Sequence, residues 1–323
     1  MANTSIYQKV VAISPNMEMF GRRLYYFMKP IADKIISNKR PKNLEKEKEV
    51  IKKDFTQILK AIKNAGLKNG DILIVHSSFS NLKKFGLTPT QINDLLLQEL
   101  GEKGTLAMPA IQIYPNEVEK PAISEEELLN QRYVYELKST NIWTGALPKE
   151  LINRTNSIRS KHPLNSMITF GKEASAICKD NELEKYPNGD GSSWNYCCKR
   201  NAFILGLGTD LTHSLTMIHV AEDVLGENGW HIKDWYQDRV FRLKTDEIEI
   251  DLYVKERKHK WGKFYFGERT LAKDLIKGGI LKTQVVEDTV VETMRAGDLI
   301  NYLNKRNRNG YPYFWLGSNL RKH

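Results

Sequence analysis

The residues around His162 could supply a general base. Pro163 follows the histidine directly, and an apolar run that predicts a strand begins at Ser166. Proline fixes its own φ and pushes the preceding residue toward an extended conformation, so the backbone would set the direction of the His162 imidazole. The unperturbed pKa of an imidazole, about 6.5, lets such a ring accept a proton near neutral pH. Taken alone, His162 is more typical of a surface turn or a capped core position than of a catalytic residue. Only its combination with other residues can favour a catalytic role.

His219 and Glu222 form a second candidate pair. They lie three residues apart, so on a helix they share one face. A glutamate beside a histidine can fix the tautomer of the imidazole and stabilise its charged form, or both can be ordinary surface polar residues. His213, His219 and Glu222 follow no zinc-ligand spacing, and we expect no metal.

His76, Ser77 and Ser78 form a third polar group. They close a continuous apolar run over 72–75, which is the pattern of a buried strand. In open α/β sheets, ligands bind at the carboxyl ends of the strands. We therefore expect these side chains to lie at a binding edge.

The elements that must position these groups alternate between strand and helix. Thr88 as N-cap and Pro89 at the first helical position predict a helix that runs to Leu100. With the strand before it and a second strand at 105–109, this helix has the spacing of a βαβ unit. Further strands are predicted at 166–170 and 202–208, a helix at 173–179, and a hairpin over about 239–253 that turns at 244–247.

Two segments lie outside this alternation. Residues 1–45 are mixed in composition and are interpreted as an N-terminal appendage with a helix, ahead of a main domain over 46–323. Residues 112–140 are polar and weakly periodic, and we interpret them as an inserted excursion with a short helix. An excursion of this length often forms a lid or a substrate wall.

Composition predicts a globular cytoplasmic protein. A chain of 323 residues with 41% hydrophobic content can bury a core as one large α/β domain or two smaller ones. Its three cysteines form neither a disulfide framework nor a Cys-x-x-Cys pair. No apolar stretch approaches the roughly 18 residues of a membrane span, and the N-terminus has no signal-peptide pattern, so no membrane insertion is expected.

The net charge is +10, with 49 basic against 39 acidic residues. Such a balance favours nucleic acid, an anionic membrane surface or a phosphorylated small ligand, although lysines on solvated helix faces account for much of it. No zinc-finger, helix-turn-helix or RNA-recognition pattern accompanies the charge. We therefore expect no nucleic-acid partner.

With these pieces in place, the sequence resembles the aminoglycoside 3-N-acetyltransferase family, also called antibiotic N-acetyltransferases. The matching motifs occur in family order and cover about 60 to 225 of the chain. They are GDILIVHSS at 70–78, GTLAMP at 104–109, TGALPKE at 144–150, RSKHP at 159–163 with Ser166, LGLG at 205–208 and IHVAE at 218–222.

The resemblance implies an α/β fold unlike that of GNAT acetyltransferases, with a mixed, largely parallel central sheet flanked by helices and an extra hairpin and C-terminal section. It also implies acetyl-coenzyme A as donor and an amino sugar as acceptor. Positions that match the family's coenzyme-contacting motifs are His76, Ser77, Ser78, Phe79, Met108, Pro109 and Ser166. Positions that match its catalytic cleft are His162, His219 and Glu222.

The chain departs from the family pattern at two places. Ala110 stands where members usually have a hydroxyl residue, which removes one coenzyme contact. The segment between Asp210 and His219 is longer than usual, which alters the acceptor side.

These residue types suit acetyl transfer by direct attack. An amine must lose a proton to attack a thioester, and we predict that His162 accepts it directly or through water, with His219 as the other candidate base. Glu222 would orient a histidine or bind the ammonium of the acceptor. Ser77 and Ser78 would donate to the oxyanion. Neither a covalent enzyme intermediate nor a metal is required.

The acceptor is the open part of this prediction. Aminoglycosides are polycations, whereas this chain is basic, and a basic protein attracts nucleotide-linked amino sugars. The charge therefore favours an enzyme that acetylates a nucleotide-linked amino sugar in bacterial surface-polysaccharide biosynthesis. The alternatives are an aminoglycoside 3-N-acetyltransferase that confers antibiotic resistance and a non-catalytic binding protein. A homodimer stays open, since no motif specifies the oligomeric state.

Overall fold

The computed structural model describes residues 13–37, 53–114, 129–212 and 214–307. His213, residues 115–128 of the predicted excursion, and residues 1–12 and 38–45 of the predicted N-terminal appendage lie outside the described residues. The strands are β1 (Ile72–Ser77), β2 (Thr105–Pro109), β3 (Arg132–Glu136), β4 (Ile158–Arg159), β5 (Met167–Gly171), β6 (Phe203–Leu207), β7 (Tyr236–Lys244), β8 (Glu249–Arg257), β9 (Lys282–Val286) and β10 (Thr289–Arg295).

The α-helices are α1 (Pro15–Ser37), α2 (Phe55–Ala65), α3 (Phe79–Leu82), α4 (Pro89–Leu100), α5 (Ala146–Ile152), α6 (Ala174–Ile177), α7 (Ser193–Lys199), α8 (Val220–Asp223), α9 (Gly226–Gly229), α10 (His259–Tyr265), α11 (Glu268–Lys277) and α12 (Ala296–Asn307). Short 3₁₀ turns lie at Lys83–Phe85, Asn181–Leu183 and Thr216–His219. In the described part of the chain, no helix is both long and apolar enough to cross a membrane.

Seven strands form a mixed sheet in the order β4-β5-β2-β1-β6-β10-β9. β1 lies at the centre and pairs in parallel with β2 on one side and β6 on the other. The outer pairings are antiparallel. The predicted mixed sheet with flanking helices is confirmed. Its parallel part is confined to three central strands. Parallel pairing needs a long crossover, such as the connection from β1 to β2 that contains α4.

The βαβ unit forms as its capping residues predict. The Thr88 side chain accepts a hydrogen bond from the backbone N–H of Gln91, and the Gln91 side chain accepts one from the Thr88 backbone. Pro89 occupies the first turn of α4. This capping box satisfies N–H groups that a helix start leaves free, so it fixes where the crossover from β1 to β2 begins.

Hydrophobic cores lie on both faces of the sheet, because alternate residues of a strand point in opposite directions. Leu73 and Val75 of β1 belong to one cluster, together with apolar side chains of α2, α4 and α5. Ile72 and Ile74 belong to the other, with side chains of α7, α11 and α12. Cys178 and Cys197 are buried in this second cluster. The central strand is thus held rigidly between two layers of helices.

A second, three-stranded sheet has the order β3-β7-β8. β7 and β8 form the predicted hairpin, which turns between Lys244 and Glu249. β3 comes from the predicted excursion and pairs in parallel with β7, with Tyr133 opposite Phe241. The weak periodicity of the excursion did not predict this strand. Its partner lies about a hundred residues further along the sequence, so only the tertiary structure defines it.

The N-terminal helix α1 caps another helix. Glu18, buried on α1, accepts hydrogen bonds from the backbone N–H groups of Arg269 and Thr270, both at 2.9 Å. These residues form the first turn of α11, where N–H groups lack intrahelical partners. Arg22 of α1 also donates to the Gly262 carbonyl at 3.0 Å and to Glu268 at 3.1 Å. α1 therefore fixes the junction between α10 and α11.

Candidate active site

A cavity of about 410 Å³ opens at the carboxyl ends of the three parallel strands. His76 and Ser77 of β1 line it, as do Pro109 of β2 and Thr209 just beyond β6. The opposite wall comes from the 3₁₀ turn Thr216–His219, from α10 and from the start of α11. The position agrees with the rule that open α/β sheets bind ligands at this edge.

His219 and Glu222 meet at this cavity. His219 lines it and is 16% exposed, whereas Glu222 is 1% exposed behind it. The imidazole Nδ1 donates to Glu222 Oε2 at 2.9 Å. Since a carboxylate only accepts, this bond fixes the proton of the neutral ring on Nδ1 and leaves Nε2 as the acceptor. The arrangement is that of an oriented general base.

His76 is a buried wall of the same cavity. It is 4% exposed and stacks against Trp194, with ring centroids 6.2 Å apart. Burial lowers the pKa of His76 to about 4, so the ring is neutral near neutral pH. Its Nε2 has no hydrogen-bond partner among the described residues. His76 can therefore offer one neutral polar group to a ligand.

His162 does not line the cavity. It is 3% exposed, and its Nδ1 lies 3.0 Å from the carbonyl oxygen and 3.2 Å from the backbone nitrogen of Leu164. Burial lowers the pKa of His162 to about 4, against opposing hydrogen bonds with the backbone of Leu164 and Glu184. The structure thus gives His162 the environment of a core residue that holds its own turn.

That turn is held from several sides. The Arg159 guanidinium donates to the carbonyls of Glu136, Leu137, Ser139 and Ala110. Tyr135 Oη donates to the Ser160 carbonyl at 2.6 Å. The 159–166 segment is therefore rigid, and it brings Asn165 to the wall of the cavity.

The predicted coenzyme residues separate into two groups. His76, Ser77 and Pro109 line the cavity, and Ser78 lines its neighbour. Phe79, Met108 and Ser166 line neither.

Phe79 is half-buried against one core cluster and Met108 is fully buried in it. Ser166 is fully buried, and its Oγ donates to the Ala110 carbonyl at 2.6 Å. The backbone N–H of Ser78 donates to the Leu207 carbonyl at 3.1 Å. That N–H already has a partner, so at Ser78 the oxyanion donor is reduced to the hydroxyl group.

A second cavity of about 310 Å³ adjoins the first. Thr209 and Thr212 line both. The second cavity carries charged side chains of both signs, including Asp210, Arg269 and Glu292. The two volumes together could hold a donor and an acceptor side by side.

Several cavity residues were not predicted. Thr144 lines the main cavity, and its Oγ1 is buried without a partner among the described residues. Asn165 lies next to the predicted Ser166, and Trp143 is 63% exposed beside Thr144. The motifs at 144–150 and 159–166 contained the signal for Thr144 and Asn165, but not which side chain faces the cavity.

The sequence also did not predict the opposite wall of the cavity, because it did not predict α10 and α11, which form much of that wall. Arg257, His259, Phe266 and Glu268 line the cavity from the region of α10 and α11. Among the residues that the structure describes, no three His, Cys, Asp or Glu side chains are grouped so that they could hold a metal ion.

Comparison with known proteins identifies the family of the chain. The model of the aminoglycoside 3-N-acetyltransferase family matches residues 74–307. An SPbeta prophage-derived aminoglycoside N(3')-acetyltransferase-like protein of Bacillus subtilis (strain 168) is 28% identical over 179 residues, which is 53% of this chain and 64% of that protein. The match thus spans less than two thirds of that relative. Aminoglycoside N(3)-acetyltransferase III of Salmonella sp is 25% identical over 264 residues, 69% of this chain and 88% of that one.

Solved structures share the fold. The crystal structure of aminoglycoside acetyltransferase AAC(3)-IIb superposes with a TM-score of 0.65 at 20% identity, over 80% of this chain and 97% of that one. The AAC-IIIb complex with CoASH gives a TM-score of 0.64 at 17% identity over the same shares. Because the family model covers more than two thirds of its length, the chain belongs to the aminoglycoside 3-N-acetyltransferase family.

Proposed function

We propose that the protein is an acetyl-CoA-dependent N-acetyltransferase that acetylates an amine of an aminoglycoside. The observation that carries the proposal is the His219–Glu222 pair, with a hydrogen bond of 2.9 Å, at the rim of the cavity where the parallel strands end. Two structural neighbours support it, one bound to CoASH and one bound to sisomicin.

His219 is the base in this proposal. Its Nε2 removes a proton from the ammonium of the acceptor, directly or through water, and the free amine attacks the thioester carbonyl. The C–N bond forms and the C–S bond breaks. The imidazolium gives its proton to the leaving thiolate, and the second proton that the nitrogen loses passes to solvent. Glu222 stabilises the charge on the ring in between. A base in this role is worth about 10²–10⁴ in rate.

His162 has a supporting role in this proposal. Its ring lies outside the lining of the cavity, and a pKa of about 4 leaves it a weak base near neutral pH. It keeps the 159–166 turn in shape. The base predicted from the sequence at His162 is thereby reassigned to His219.

We assign the coenzyme contacts to Ser77, Pro109 and Ser78, which line the two adjoining cavities at the edge of the sheet. The Ser77 and Ser78 hydroxyls would donate to the oxyanion that forms on the thioester carbonyl. His76 Nε2 adds a neutral polar contact on the same wall. These groups suit a thioester, which offers acceptors and no charge.

For the acceptor, the comparisons favour the aminoglycoside alternative over a nucleotide-linked amino sugar. The family and the relatives described above are named for aminoglycosides, and none for nucleotide sugars. The net charge of +10 had favoured an anionic acceptor. Net charge is a property of the whole surface, whereas the lining of this cavity includes one carboxylate, Glu268, as well as the Arg257 guanidinium.

Thiol release from acetyl-CoA tests the proposal. The wild-type protein would be assayed with sisomicin, apramycin and a panel of nucleotide-linked amino sugars, with His219→Ala as the control. We expect turnover with aminoglycosides only, and its loss in the variant. Turnover confined to the nucleotide sugars would overturn the acceptor, and failure to bind acetyl-CoA would overturn the activity.

A further inference from the structure

A chain of buried side chains leads from Asp223 to the cavity through two asparagines. Asp223 is 4% exposed and Asn188 is 1% exposed. Asn165 is half-buried at the other end and lines the main cavity.

Asp223 fixes the direction of the first amide. It accepts from Asn188 twice at Oδ2, from the backbone N–H at 3.0 Å and from Nδ2 at 2.8 Å, and Oδ1 accepts from Tyr236 Oη at 2.8 Å. Burial, with the charge of Glu222 beside it, raises the pKa of Asp223 to about 6, so at about pH 7.5 the group is a carboxylate that only accepts. Asn188 must therefore turn its NH₂ group toward Asp223 and its Oδ1 away.

The second amide follows from the first. Asn165 Nδ2 donates to Asn188 Oδ1, 3.4 Å away. An amide has one NH₂ and one oxygen, so this bond leaves Asn165 Oδ1 as the free end. No hydrogen-bond partner of that oxygen occurs in 13–37, 53–114, 129–212 or 214–307.

The backbone of Asn165 is fixed as well. Its carbonyl accepts from Trp194 Nε1 at 2.7 Å, and its φ is +50°. Asparagine tolerates this left-handed conformation better than most residues, which alone could explain its presence. The hydrogen-bonded chain to Asp223 is not needed for that conformation and points to a second role.

We propose that Asn165 Oδ1 is a specificity contact that accepts a hydrogen bond from an ammonium or hydroxyl group of the amino-sugar acceptor, with Asn188 and Asp223 as positioning residues. This inference rests on the proposed function. The relay from a buried carboxylate makes the free oxygen more negative than that of an isolated amide. Such an oxygen attracts a cationic amine and repels the phosphates of the coenzyme.

The test compares two substitutions that both allow the left-handed backbone. Asn165→Gly removes the amide, and Asn165→Asp keeps an acceptor while losing the donor. Affinities for sisomicin and for acetyl-CoA would be measured calorimetrically at about pH 7.5, beside steady-state kcat and KM. We expect Asn165→Gly to raise the KM and Kd for sisomicin about tenfold, with kcat and acetyl-CoA affinity within about twofold of wild type. Asn165→Asp should restore sisomicin binding.

Asp223→Asn tests the relay. A neutral amide can donate as well as accept, so it no longer dictates how Asn188 and Asn165 are turned. For Asp223→Asn we expect a smaller rise in the KM for sisomicin, about threefold. In the double variant with Asn165→Gly, the KM should equal that of Asn165→Gly alone, because both changes act on one contact.

The outcomes separate the two proposals. Wild-type protein that binds neither acetyl-CoA nor sisomicin would overturn the proposed function and this inference with it. Normal wild-type activity with an unchanged KM for sisomicin in Asn165→Gly would overturn the inference alone. A loss of acetyl-CoA affinity in that variant would do the same, by showing that Asn165 contacts the donor.

Discussion

The His162 turn and the His219 turn both place a histidine near the edge of one sheet, yet the two rings have opposite surroundings. His162 has the backbone of Leu164 for its partner at Nδ1, and its ring lies in the core. His219 has a buried carboxylate for its partner and reaches the cavity. Burial disfavours the charged form of an imidazole, whereas a carboxylate partner stabilises it. The surroundings of the ring, more than its position along the chain, decide which histidine can carry a proton.

The largest difference should appear when each of the two histidines is replaced in turn. His219→Ala removes the proposed base, and kcat/KM should fall by about 10²–10⁴ at about pH 7.5 with acetyl-CoA binding retained. His162→Asn keeps an oxygen that can accept from the Leu164 N–H, and its kcat should stay within about threefold of wild type. Steady-state kinetics of both variants measure this difference. Comparable losses in the two would remove the contrast between the turns.

Acid unfolding should reveal the buried rings. His76 and His162 have pKa values near 4, below the ordinary 6.5, so between these values the unfolded chain binds more protons than the folded one. Stability should therefore fall as the pH drops from 6.5 to 4, by roughly 3 kcal/mol for each ring. Urea titrations across this range measure the loss. His162→Asn should flatten the acid limb, and an unchanged limb would show that the ring is not buried as described.

Glu222→Gln tests whether His219 needs a charged partner. The amide keeps the shape but no longer stabilises a charged imidazole, so kcat should fall about a hundredfold while both substrates still bind. Single-turnover rates with bound acetyl-CoA measure the chemical step. An unchanged rate would make the hydrogen bond between the two side chains a structural one.

The smallest expected effect distinguishes two serines of the predicted coenzyme motifs. Ser77→Ala removes a hydroxyl from the wall of the cavity and should weaken acetyl-CoA binding about fivefold. Ser166→Ala removes a buried hydroxyl that donates to the Ala110 carbonyl. It should lower stability by about 1 kcal/mol and leave acetyl-CoA binding unchanged. Calorimetry and thermal unfolding of both variants check the contrast.

The sequence predicts the elements whose signals are local. The Thr88 N-cap with Pro89, the apolar run of β1 and the alternation of β7 and β8 each depend on neighbours a few residues apart, and all three form as expected. The pairing of His219 with Glu222 is local too, since one turn separates them.

What the sequence could not predict depends on distant contacts. β3 needs β7, and the environment of His162 depends on how the Arg159 guanidinium gathers four carbonyls around the turn. Asn165 and Ser166 are neighbours, but one faces the cavity and the other the core. Motif membership does not separate them, because direction is set by packing against other elements.

The contact between Glu18 and the first turn of α11 joins positions 251 residues apart along the chain. Ordering so long a loop is entropically costly, and contacts of this range form after the local ones in most domains. During synthesis, the Glu18 carboxylate can find its partners only after Arg269 and Thr270 have been made. The cavity wall that carries Gly262, Phe266 and Glu268 should therefore be among the last parts of the molecule to assemble, and removal of α1 should affect it first.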